Sequence, residues 1–66
     1  MEETITVGRK FSAVLEGNYY NLYHENLHIG GLGREYIEIG ELFMPDNEFP
    51  ALLRLLEKCR EELRKG

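Results

Sequence analysis

From Thr4 to Val7 polar and apolar residues alternate, the period of a strand with one buried face. Gly8-Arg9, with glycine first, suits a tight hairpin turn. Phe11, Ala13 and Leu15 then alternate with Ser12, Val14 and Glu16, which predicts a second strand. Gly17-Asn18 is a strong two-residue hairpin signal. Tyr19 to His24 forms the third predicted strand, with Tyr20, Leu22 and His24 on one face and Tyr19, Asn21 and Tyr23 on the other. Glu25-Asn26 reads as a turn or bulge, Leu27-His28-Ile29 as resumed strand, and Gly30-Gly31-Leu32-Gly33 as a flexible hairpin loop. Alternation returns from Arg34 to Ile39, with Ile37 and Ile39 on one face and Tyr36 and Glu38 on the other. Gly40 suggests a bulge or bend before the strand continues through Glu41 to Met44.

After Pro45 the period changes to that of a helix. Asn47 is an expected N-cap, Glu48 suits the positive end of the helix dipole, and Pro50 falls in the first turn, where it loses no hydrogen bond. Phe49, Leu52, Leu53, Leu56, Arg60 and Leu63 follow the spacing of one face, and Leu55 and Cys59 widen it. Arg64 and Lys65 suit the last turn. The helix predicted over residues 48–65 is roughly 27 Å long. The expected fold is α+β: a single domain, residues 1–66, in which a curved antiparallel meander of four or five strands over residues 4–44 packs on one long C-terminal helix.

Sixty-six residues bury only about 60 % of their unfolded surface, so the core is marginal. One cysteine excludes an internal disulfide, and no Cys/His cluster suggests a structural metal, so no cofactor is expected. Oligomerisation is then the expected extra source of stability. Leu52, Leu53, Leu55 and Leu56 point the same way, because they cannot all face one sheet. No apolar run can span a membrane, Met1-Glu2-Glu3 is unlike a signal peptide, and the free Cys59 fits a reducing cytoplasm. The net charge of −4 is unevenly spread. Residues 1–49 carry Arg9, Lys10 and Arg34 against nine acids, whereas residues 50–66 carry five bases against three acids. The acidic sheet segment counts against binding driven by phosphate contacts.

The order of elements resembles a known group. Arg9-Lys10-Phe11 opening the second strand, the Gly17-Asn18 hairpin, the tyrosine-rich third strand, and Met44-Pro45-Asp46-Asn47-Glu48-Phe49-Pro50 leading into a helix are similar to the PUR-alpha type repeat. In that repeat a curved sheet is followed by one helix. The architecture recurs in the Whirly proteins, in the positive-cofactor-four coactivator domain and in the archaeal thermophile single-stranded-DNA-binding proteins. The resemblance implies oligomers that bind single-stranded nucleic acid on the sheet. This chain departs from it in a longer segment over residues 25–40 and in its acidic sheet.

The candidate binding residues are Tyr19, Tyr23 and Tyr36, whose rings can stack on bases, and Asn21, which can bond a base edge. The alternative for the tyrosines is cross-strand pairing that stabilises the sheet. Arg9, Lys10 and Arg34 lie in or beside turns, where they either contact phosphates or are simply solvated. Arg60 and Arg64 can line a channel between subunits. His24 and His28 lack further ligands for a metal. The glycine-rich loop lacks a phosphate-loop pattern, and Cys59 reads as a buried thiol. No nucleophile–base constellation appears, so no enzymatic activity is expected. The first expectation is a small oligomeric protein, joined through its helix and sheet edge, that binds single-stranded DNA or RNA and no membrane. The second is an acidic protein-interaction module that binds no nucleic acid.

Overall fold

The computed structural model describes residues 3–40 and 43–65. Five strands, β1 (Thr4–Val7), β2 (Phe11–Glu16), β3 (Tyr19–His24), β4 (Leu27–Leu32) and β5 (Ile37–Ile39), are followed by one helix, α1 (Phe49–Lys65). The strands pair antiparallel in sequence order as an open five-stranded meander.

Turn chemistry sets the registers. Glu16 pairs with Tyr19 across Gly17-Asn18, and Gly17 takes φ +64°, as a hairpin with glycine first requires. Glu25 and Asn26 both have positive φ, 50° and 70°, the signature of a two-residue turn that matches strand twist. The β1–β2 connection differs from the expected two-residue turn: Val7 pairs with Phe11, so Gly8, Arg9 and Lys10 all lie in the loop.

The stretch expected to be a glycine loop is strand. β4 runs through Gly30 and Gly31 to Leu32, because both residues pair on both sides, with Leu22 and Asn21 of β3 and with Ile39 and Glu38 of β5. Side-chain space explains the glycines. A Cβ at Gly30 would lie 1.9 Å from the Glu38 carbonyl oxygen. The last strand is correspondingly short. β5 covers only Ile37–Ile39, and Gly40 leaves it while donating its N–H to the Ile29 carbonyl at 2.9 Å. Phe43 and Met44 lie outside any strand, and the expected strand residues Glu41 and Leu42 lie outside the described residues.

One face of the sheet carries the core. Phe11, Ala13, Tyr20, Leu22, Ile29 and Leu32 are buried beneath Leu52, Leu55, Cys59 and Leu63 of α1. The helix lies over β1, β2 and β4. Its buried stripe is therefore Leu52, Leu55, Cys59 and Leu63, all within the expected face or its widened side, whereas Phe49, Leu53 and Arg60 of that face are exposed.

The helix start also differs. Asn47 is not an N-cap: Asp46–Glu48 form one 3-10 turn behind Pro45, closed by the Glu48 N–H on the Pro45 carbonyl at 2.9 Å, with no side-chain cap. Glu48 is instead drawn towards the β1–β2 loop and β3, where Lys10 and His24 hold its carboxylate.

Candidate functional site

The strict alternation of β3 sends Tyr20, Leu22 and His24 under the helix, where all three are buried, and Tyr19, Asn21 and Tyr23 to the opposite face, where they are half-buried. That face is covered by nothing among the described residues. Thr4, Thr6, Ser12, Val14 and Glu16 extend it on one side, and His28, Gly31 and Glu38 on the other.

Two glycines seat the tyrosines. A Cβ at Gly31 would lie 2.7 Å from Cε2 of Tyr19, so the ring rests on bare backbone. A Cβ at Gly33 would lie 3.1 Å from Cδ1 of Tyr36 and 3.8 Å from the Tyr19 Cβ, so the Tyr36 ring rests on Gly33 backbone on the same side of the sheet as Tyr19. The Tyr36 carbonyl accepts the Gly33 N–H at 2.8 Å, which fixes the backbone under that ring. Tyr36 precedes β5 and is 53 % exposed.

Asn21 is the hub of the polar groups. Its Oδ1 accepts from the Tyr19 hydroxyl at 3.0 Å and from His28 Nε2–H at 3.2 Å, and its Nδ2 donates to the Glu16 carboxylate. Tyr23 meets the His28 ring edge to face, centroids 5.5 Å apart. The face is thus preorganised, and a ligand pays little side-chain entropy to use it. The same bonds occupy Asn21, so reading a base edge requires breaking one of them.

His28 reaches this face because of a bulge. Leu22 pairs with Gly30 and Tyr23 with His28, which leaves Ile29 as an extra residue in β4. In an unbroken register Ile29 would oppose Tyr23 and His28 would oppose His24. The bulge turns Ile29 into the core and His28 outward. The sequence reading missed His28 as a partner of the tyrosines, and Gly31 and Gly33 as their seats. The available signal was glycine inside a strand pattern, which marks a close approach.

The bases sit elsewhere. Lys10 contacts Glu48 at 2.5 Å and Glu25 at 3.9 Å. His24, buried against Phe11 at a centroid distance of 4.7 Å, donates to Glu48 at 3.2 Å. The Lys10 hydrogen bond, opposed by burial and aided by His24, lowers the Glu48 pKa, and the same bond raises that of Lys10. Lys10 therefore fastens the helix start to the sheet. Arg34 donates Nε–H to the Leu63 carbonyl at 3.1 Å, which satisfies an end group of α1. Arg9 is exposed in the β1–β2 loop. The structure brings Tyr19, Asn21, Tyr23 and Tyr36 together, and places Lys10 and Arg34 in contact with the helix and the segment leading into it.

Comparison with family models, curated proteins and solved structures found no match. Among the described residues no group of three or more His, Cys, Asp or Glu is placed to hold a metal ion, and no helix is long and apolar enough to cross a membrane.

Proposed function

We propose that this protein binds single-stranded nucleic acid on the open face of its sheet, chiefly by stacking. The observation that carries the reading is the rigid set of Tyr19, Tyr23 and Tyr36 on the face opposite α1, two of them seated on glycine backbone and one braced by His28. Each base stacked on such a ring contributes about 1–3 kcal/mol, whatever its identity. Phosphate contacts are few, because Lys10 and Arg34 serve the helix and Glu16 and Glu38 lie on the face itself. Arg9 is the rim cation suited to a passing phosphate. Fluorescence anisotropy with labelled single-stranded DNA and RNA tests the reading. Saturable binding by the wild type and its loss in Tyr19→Ala/Tyr23→Ala support it. No binding at about 50 µM protein, where a useful site of ~10 µM Kd would be mostly filled, overturns it.

One observation favours a second reading. The tyrosines are flanked by the carboxylates of Glu16 and Glu38, a pattern suited to a basic peptide segment of a partner protein. Binding of an arginine-rich peptide that weakens steeply with salt, with no oligonucleotide binding, selects that reading.

A further inference from the structure

The sheet has an open edge beside the helix. Among the described residues β5 pairs only with β4. Tyr36 and Gly40 direct backbone groups inward, the Tyr36 carbonyl to the Gly33 N–H and the Gly40 N–H to the Ile29 carbonyl. Alternate residues of a strand point their backbone groups to opposite sides, so Ile37 and Ile39 present theirs outward. The side chains of both lie on the helix side, because Ile37 pairs with Leu32 of the core and Ile39 is two residues on. α1 lies over β1, β2 and β4 and leaves them half bare: Ile37 is 50 % exposed and Ile39 37 %. An edge strand with uncovered apolar side chains is a template for a further strand.

Between β5 and α1 runs a groove of about 180 Å³ floored by Leu32, Ile37, Leu53 and Leu56, with Glu57 and Arg60 on its rim. Arg60 also lines the adjoining hollow of about 280 Å³, together with Arg34, Glu35, Leu63 and Arg64. The groove is thus apolar at one end and basic at the other. At the basic end three guanidinium groups meet one carboxylate, in a chain whose net charge is −4. The Arg34 Nε–H on the Leu63 carbonyl masks one of the negative end groups of the helix there. Neither Arg60 nor Arg64 has an ion-pair partner among the described residues.

We propose that this groove seats an extended segment of a partner protein, paired to β5, with apolar side chains at alternate positions and carboxylates at the end beside the arginines. Backbone and charge together select that occupant. Main-chain bonds to Ile37 and Ile39 hold the guest, and every second side chain enters the gap beside Leu53 and Leu56. Its carboxylates then meet guanidinium forks, which bind them in bidentate fashion. Length agrees as well. Leu53 and Arg64 are eleven positions apart, about 16 Å of helix, which about five residues of extended chain span. A basic guest would set like charge against the arginines. The groove lies on the helix side, away from the tyrosines, so the inference does not depend on what they bind.

Fluorescence anisotropy of the full chain with labelled heptapeptides tests it. The probes alternate isoleucine with threonine and carry two glutamates at the N- or the C-terminal end, to cover both strand directions. Saturable binding of one of them with a Kd at or below about 100 µM is expected. Leu53→Glu, an exposed position off the buried stripe, is expected to weaken it at least about tenfold while circular dichroism stays unchanged. Arg60→Glu/Arg64→Glu is expected to weaken it similarly and to favour the same peptide with lysines in place of its glutamates. Methylating the backbone nitrogens of alternate peptide residues is expected to abolish binding for one set and spare the other, since only one edge of the guest faces β5. Tyr19→Ala/Tyr23→Ala is expected to change nothing. Binding of neither peptide overturns the proposal. So does binding that ignores Leu53→Glu, the charge exchange or both methylation sets. Sedimentation of the wild type as an oligomer that Leu53→Glu dissociates would give the groove to a second copy, and binding of decanoate alone would give it to a small amphiphilic anion; either result overturns the proposal.

Discussion

A methyl group at Gly31 would press on the Tyr19 ring, whereas one at Gly30 would meet the Glu38 backbone. Adjacent glycines thus do different work, and the same substitution separates them. Gly31→Ala should leave the sheet intact and unseat Tyr19, weakening oligonucleotide binding by about one stacking contact, 1–3 kcal/mol. Gly30→Ala must push β5 from β4, because backbone cannot swing aside, and is expected to lower thermal stability more than Gly31→Ala does. Calorimetry and anisotropy on the two variants check both outcomes. Tyr20 poses a different residue-scale question. It is fully buried, and its hydroxyl has no hydrogen-bond partner among the described residues. An unpaired buried hydroxyl costs free energy, so Tyr20→Phe is expected to stabilise the protein by about 1 kcal/mol in denaturant unfolding. Parity within β3 was legible from sequence, since six residues alternate without interruption. The role of Gly31 was not. A glycine carries no side-chain signal, and its neighbour across the strand is set by a bulge that no local pattern announces.

At the scale of elements, α1 is held to the sheet at three places. Leu52, Leu55, Cys59 and Leu63 bury its inner stripe, Arg34 reaches its last turn, and the Lys10–Glu48–His24 group fastens the 3-10 turn at its start. The last of these depends on pH. The Glu48 carboxyl titrates below its ordinary 4.5, because Lys10 above all holds the ionised form. Its stabilising contribution is therefore present above pH 4.5 and is lost as pH falls through the lowered value. A melting series from pH 7 to pH 3 should show this loss, and Glu48→Gln should flatten it. On the alkaline side, burial pushes the Cys59 thiol from 9.0 up to about 11. The folded state then disfavours the thiolate, and stability should fall as pH rises from about 9 towards 11. Cys59→Ser is an unsuitable control, because it introduces a hydroxyl into the core. Cys59→Ala removes the alkaline dependence at the expense of a small cavity. That a helix follows a meander was readable from the change of period at Pro45. The position of its buried stripe was not, since Leu52, Leu53, Leu55 and Leu56 offer two adjacent apolar faces. Only the placement of the sheet decides between them.

For the whole molecule, the division of labour between faces matters most. One face of the sheet is spent on α1 and the core, and the other presents tyrosines in a neighbourhood poor in cations. If that face binds single strands, affinity should come from stacking, and few counterions should be released. The slope of log K against log salt is expected to be about −1, the value for one or two phosphate contacts on a single strand. A much steeper slope would mean that the basic outer side of α1 is the contact. The most direct measurement is an NMR titration of the isotopically labelled protein with a short oligothymidine. The signals of Tyr19, Asn21, Tyr23, His28 and Gly31 are expected to shift together, while those of Leu52, Leu55 and Cys59 stay in place. Shifts confined to α1, or no shifts at all, would contradict the account.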